Sequence, residues 1–194
     1  MIESGIQRIG AEQELCVLDE NFMPATNNLA VLKAIDDPHF VPEIAKFNIE
    51  ANLDPFEFTG DCFDLIEDQL RSLLNKAFQV TESMNTKILM TGILPTLRKE
   101  HLEFEYMTPN PRYEALNAVM KRQKGSDFEL NIMAVDELIT THSNILFEAC
   151  NTSFQVHMQI EPGEFTSMYN WAQMIAGPVL VVAANSPLLL GRRL

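Results

Sequence analysis

Gly10-Ala11-Glu12-Gln13-Glu14-Leu15 is the stretch whose reading decides the fold. Taken as a strand, it sends Glu12 and Glu14 to one face, because side chains alternate with period two. Ala11 and Leu15 then point to the other face. Two neighbouring carboxylates repel unless a positive group lies between them. Two later stretches repeat the pattern. Asn48-Ile49-Glu50-Ala51-Asn52 puts Asn48, Glu50 and Asn52 on one side and Ile49 and Ala51 on the other. Ser153-Phe154-Gln155-Val156-His157-Met158-Gln159-Ile160 puts Ser153, Gln155, His157 and Gln159 in front of Phe154, Val156, Met158 and Ile160. Three strands with apolar backs and polar fronts predict one polar cavity floored by a sheet.

The expected occupant of that cavity is a divalent cation. Carboxylates with one imidazole and no thiolate favour Mg²⁺ or Mn²⁺ over zinc. Each residue also has a plainer reading. Glu12 and Glu14 would suit a solvated strand edge. His157, between Gln155 and Gln159, would suit the polar stripe of a surface strand. Glu50, bracketed by two asparagines, would suit a hydrogen-bonded turn.

The rest of the chain supplies the frame. Asn27 or Asn28 would cap a short helix through Leu29, Leu32 and Ile35, ended by Asp36-Asp37-Pro38. Residues 61–84 form the longest expected helix, with Leu65, Leu70, Leu73, Leu74 and Phe78 at helical spacing. Lys87 to Leu94 reads as a strand buried on both faces, closed by Pro95. Residues 96–109 read as irregular or a short helix with a charged surface from Lys99, Glu100, His101, Glu103 and Glu105. Pro111 opens a helix that ends at Lys124-Gly125. Phe128 to Ala134 is a strand, Asp136 to Asn144 is open, and a helix spans about Phe165 to Ala184. Met174 to Leu190 is the most apolar stretch. Gly177, Pro178, Asn185 and Pro187 interrupt it, so it reads as buried core rather than a lipid-spanning helix. The single helices between strands would also suit a parallel α/β sheet. The one-sided polarity of the strands favours an antiparallel one.

Composition narrows the function. The chain has 194 residues, 46% of them hydrophobic, enough for a full core in one large domain. Its 14 basic and 27 acidic residues leave a net charge of −13, which argues against nucleic acid and anionic membranes as partners. A phosphate-bearing ligand stays open, because a metal ion can supply the positive charge. Cys16, Cys62 and Cys150 have neither disulfide nor zinc spacing and read as buried reduced thiols of a cytoplasmic protein. The N-terminus shows no signal peptide.

Four segments then occur in order: Gly10-Ala11-Glu12-Gln13-Glu14-Leu15, Phe47-Asn48-Ile49-Glu50-Ala51-Asn52-Leu53-Asp54-Pro55, Thr152-Ser153-Phe154-Gln155-Val156-His157 and Ala184-Asn185-Ser186-Pro187. The ordered set resembles the glutamate–cysteine ligase type 2 family of carboxylate–amine ligases over nearly the whole chain. Gly92-Ile93-Leu94-Pro95 and Pro111-Arg112-Tyr113 also fit. The resemblance implies an α+β, glutamine-synthetase-like catalytic fold, an antiparallel sheet funnel with helices packed outside. It implies a ligase that uses ATP and Mg²⁺ to join a small-molecule carboxylate to an amine through an acyl phosphate. On that resemblance Glu12, Glu14 and Glu50 are metal ligands at the phosphates, and His157 is a metal or phosphate contact on the opposite wall. Asn52 and Gln155 shape the substrate pocket. Arg112 is a carboxylate or phosphate contact, with a helix-surface charge as an equal reading.

Family members continue past the Asn-Ser-Pro segment. The expectation is therefore a single α+β domain over residues 1–194 that forms part of a longer catalytic domain and is inactive alone. Apolar surface and unpaired sheet edges would be exposed, so the chain is expected either to self-associate or to carry altered packing. Two other functions compete: a non-catalytic domain of the same fold that binds a metal, nucleotide or amino acid, and a metal-free interaction domain whose polar faces are solvated.

Overall fold

The computed structural model describes Glu3 and residues 5–194. In chain order it contains β1 (Arg8–Leu18), α1 (Asn28–Ile35), β2 (Phe40–Pro42), β3 (Asn48–Asn52), β4 (Phe56–Glu57), α2 (Cys62–Glu82) and β5 (Lys87–Leu89). Then come α3 (Pro111–Lys124), β6 (Phe128–Met133), β7 (Glu137–His142), β8 (Phe154–Met158), α4 (Phe165–Ala183), β9 (Leu188–Leu189) and β10 (Arg192–Arg193).

β1 is long enough to serve four partners, all antiparallel. β3 pairs along Glu12–Cys16 and β4 along Arg8 and Ile9. β8 pairs along Ile9–Gln13 and β5 along Cys16–Leu18. β2 extends the sheet outward from β3. The antiparallel, one-sided reading of the strands thus holds, and the fold is α+β.

The two faces of this sheet have different fates. Ile9, Ala11, Leu15 and Val17 share one face with Ile49 and Ala51, and a core that includes Val31 of α1 and Leu73 of α2 buries them. The other face of β1 runs Glu12, Glu14, Cys16, Leu18. Cys16 and Leu18 sink into a second core with Phe47, Leu97, Leu102 and Leu146. That core stops short of Glu12 and Glu14, so the polar end of the face stays accessible.

The helices follow their sequence signals with local shifts. α1 starts after Asn27, but neither that residue nor Asp61 before α2 makes a side-chain cap bond. Asn28 is buried instead, and its amide donates to Ala45 O, Asn48 O and Thr108 Oγ1. α2 buries Ile66, Leu73, Ala77 and Thr81, while Leu65 and Phe78 of the expected stripe are exposed. α3 opens on Pro111, is capped by the Asn110 side chain and ends at Gly125 with φ 68°, the left-handed conformation glycine accepts freely.

Three expectations fail for tertiary reasons. The strand expected from Lys87 to Leu94 ends at Leu89 with only Ile88 of its three residues buried; Ile93 and Leu94 are buried beyond it, outside any strand. Beyond it, Gly92 N–H donates to Asn185 O at 2.8 Å, and Gly92 O accepts from Thr152 N–H at 2.9 Å. A Cβ at Gly92 would lie 2.9 Å from Asn185 O, so this three-segment junction admits only glycine. His101, expected on a charged surface, is buried. Its Nδ1 accepts the Arg98 N–H at 3.0 Å, its ring meets Tyr106 edge-on, and burial lowers its pKa.

The largest departure is α4. The apolar run expected as core has no buried residue in this helix, with Val181 84% and Val182 88% exposed. Hydrophobicity is a property of the segment; burial needs a neighbour to pack against. Phe154, Val156 and Met158 of β8 lie on the face of Ile9 and Ala11, yet they too are exposed. Among the described residues no helix is long and apolar enough to cross a membrane. The segment left open by the sequence, Asp136 to Asn144, holds β7, which forms a hairpin with β6. Cys16, Cys62 and Cys150 are free and buried, as expected.

Asn28→Ala removes the donor to three buried oxygens and should cost about 3 kcal/mol. Urea denaturation should show a lower midpoint with an unchanged slope.

Candidate metal centre

Strand register brings the polar residues together. Glu14 stands directly opposite Glu50, and Glu12 opposite Asn52, across β1 and β3. On the other edge of β1, Glu12 is opposite Gln155 and Gly10 opposite His157. The loop after β2 adds Glu43, because Val41 pairs with Glu50 and turns the following residues toward it. Carboxylate oxygens of Glu14, Glu43 and Glu50 all lie within 4.8 Å of one another.

Neighbouring donors hold two of these carboxylates in place. Ser153 N–H donates to Glu14 Oε2 at 2.7 Å, and Gln155 Nε2 reaches Glu14 Oε1 at 3.4 Å. Asn52 Nδ2 donates to Glu50 Oε1 at 2.9 Å. Glu12 stands slightly apart, with Oε1 3.3 Å from His157 Nε2. The four expected ligands therefore form two groups: Glu14 and Glu50 join Glu43, whereas Glu12 pairs with His157. Arg112 is exposed on the first turn of α3, where its backbone N–H donates to the capping Asn110 side chain.

The electrostatics are those of carboxylates pressed together under partial burial. Desolvation raises the Glu14 pKa, against the lowering effect of the Ser153 bonds. Desolvation also raises Glu50, opposed by the bond from Asn52. Glu43 is pushed up to about 7, first by burial and then by the charge of Glu50. Glu148, on a 3₁₀ segment at Ile145–Cys150, adds its charge to the field at Glu14 and Glu43. Tyr113 stands near the same group: its hydroxyl donates to Pro42 O at 2.7 Å, and burial and the Glu43 charge raise its pKa.

The donor set fits a hard divalent cation. All three donors are carboxylate oxygens, and ligands about 2.0–2.6 Å from one ion lie within roughly 5 Å of each other. The raised pKa values of Glu14, Glu43 and Glu50 are of the kind that a bound cation would lower.

The profile of glutamate–cysteine ligase family 2 matches residues 8–193. The chain belongs to this family. A search of curated proteins and of solved structures finds no match. Membership in glutamate–cysteine ligase family 2 suggests a carboxylate–amine ligase.

Sequence reasoning missed Glu43 and Glu148, and gave Tyr113 no role at the site although Pro111-Arg112-Tyr113 carries part of the resemblance. Glu43 lies in a loop with no alternating pattern. Its only local signal is its position just after Pro42, which ends β2. Glu148 sits in a 3₁₀ turn whose placement depends on contacts far along the chain: Asn48 Nδ2 donates to Ala149 O at 2.9 Å.

These carboxyls ionise later in the folded chain than in the unfolded one, where glutamate titrates near about 4.3. The folded state then holds the extra proton, and stability falls as pH rises from that range through about 7, the value for Glu43. Glu43→Gln should flatten this slope and stabilise the metal-free chain at pH 8 by up to about 3 kcal/mol. Thermal melts from pH 4.5 to 8.5 check this, and saturating Mn²⁺ should abolish the slope in the unsubstituted chain.

Proposed function

We propose that this chain carries the metal-binding part of an ATP- and Mg²⁺-dependent carboxylate–amine ligase of glutamate–cysteine type. The observation that carries the reading is the convergence of Glu14, Glu43 and Glu50 within a chain of this family. In this reading the three carboxylates hold the cation, with Glu12 and His157 beside them. When bound, the cation offsets phosphate charge and stabilises the charge that builds up during phosphoryl transfer.

The chain's own residues have defined tasks. Ser153 N–H and Gln155 aim Glu14, and Asn52 aims Glu50, so both stay fixed against their mutual repulsion. Glu43, whose pKa burial raises, would hold the cation as its carboxylate. Gln155 and Asn52 also shape the adjoining substrate space, flanking Glu12 on either side. The reaction runs in two displacements. A carboxylate oxygen attacks the terminal phosphorus of ATP and ADP leaves; the amine nitrogen then attacks the acyl carbon, loses a proton, and phosphate leaves. The uncharged, exposed α4 and the open apolar face of β8 support a further part of the reading, that this chain works within a larger catalytic assembly.

The test is ADP release with Mg²⁺–ATP, glutamate and cysteine or another small amine, beside Mn²⁺ calorimetry. Glu14→Gln should lower both Mn²⁺ affinity and turnover by more than about 100-fold. Mn²⁺ and nucleotide binding with no ADP release under any substrate pair would instead favour a non-catalytic binding domain of the same fold. Absence of Mn²⁺ binding by the folded chain would overturn the metal site.

A further inference from the structure

A pocket of about 530 Å³ is lined in part by Glu148, Cys150 and Asn151, just ahead of Ser153, whose N–H donates to Glu14. That volume suits a small-molecule ligand. One wall is β6, whose alternation turns Phe128, Leu130 and Ile132 to one half-buried face. The other wall is the 3₁₀ segment Ile145–Cys150. It buries Ile145, Leu146, Ala149 and Cys150 and leaves Phe147 and Glu148 for the pocket.

This second wall is clamped from several directions. Asn144 Oδ1 accepts the Leu146 N–H at 2.8 Å, Asn48 Nδ2 donates to Ala149 O, and Thr152 N–H donates to Gly92 O. The next residue, Ser153, donates to Glu14. One braced segment therefore sets both the Glu148 carboxylate and the orientation of Glu14. The nearness of the two sites is visible in the charge of Glu148 acting on Glu14 and Glu43.

The pocket's charges are specific. Glu148 is exposed to it, and among the described residues no cation pairs with this carboxylate. Glu129 lines the pocket too, and so does Lys124, whose Nζ lies over the Phe128 ring, 4.9 Å from the centroid. Apolar walls with a free carboxylate at the end nearest the reaction centre fit a cation with a hydrophobic tail and disfavour an anion.

We infer that this pocket binds a small primary ammonium with an apolar tail, its nitrogen at Glu148 and its tail between Phe128, Leu130, Ile132 and Phe147. The inference rests on the ligase reading and names the class of its amine substrate. The amine would then wait beside the carboxylates that hold the phosphoryl-transfer site, on the same braced segment.

Calorimetry of the chain with n-pentylammonium, pentan-1-ol and pentanoate tests this. Pentylammonium should bind, with the alcohol and the anion at least about tenfold weaker, and Glu148→Gln should remove that preference. Glu148→Asp should keep most of it, and Ile132→Trp, which fills the apolar end, should weaken all tail binding. Equal binding of pentan-1-ol, unchanged pentylammonium affinity in Glu148→Gln, or no binding by the folded chain would overturn the proposal. Mn²⁺ titration of the same samples separates the two readings. Mn²⁺ binding without amine binding sinks the pocket alone; amine binding without Mn²⁺ binding keeps the pocket and sinks the ligase.

Discussion

The opposition of Glu14 and Glu50 across β1 and β3 is the constraint on which the rest of the structure depends. Like charges directly opposite in an antiparallel pair are destabilising, so the register must be held from elsewhere. It is held by the reverse face, where Leu15 pairs with Ile49 and both are fully buried. A slip of one residue would drive Glu50 into that core and bring Ile49 out to the polar face. The hydrophobic side of the sheet thereby fixes an arrangement that the polar side alone would avoid.

What makes the polar side tolerable is a set of neighbouring groups, some local and some from distant segments. Ser153 arrives on the approach to β8, Asn52 closes β3, and Glu43 comes from the loop after β2, bringing a carboxyl that keeps its proton up to about neutral pH. Each lowers the repulsion without cancelling it. A cation in the middle would do what these groups do only in part, and the geometry stays ready for it because the braces are backbone and amide groups rather than mobile lysines or arginines.

The second core has a different role. It takes over the face of β1 from Cys16 onward and carries the Ile145–Cys150 segment with it. That leaves a polar floor bounded at one end by packed side chains and adjoined by the pocket under β6. The outer surfaces are less complete. α4 has no charged residue and no buried one, and the apolar face of β8 continues the first core past the reach of α1 and α2. The larger assembly proposed above would cover this apolar area.

Alternation by itself was sufficient to place Glu12 with Glu14 and Asn48 with Glu50 and Asn52, because strand periodicity is a local consequence of backbone geometry. The same local rules placed α1, α2, α3 and β6 and favoured the antiparallel sheet. They did not reach Glu43 or Glu148, whose nearness to Glu14 comes from β2 pairing with β3 and from Asn48 clamping a segment about a hundred residues later. They also mistook α4 for core and His101 for surface. Periodicity and composition are written into consecutive residues, so the sequence determines faces and element types by itself. Which carboxylates meet, and which apolar faces find cover, depends on contacts between residues far apart in the chain, and only the tertiary structure decides those.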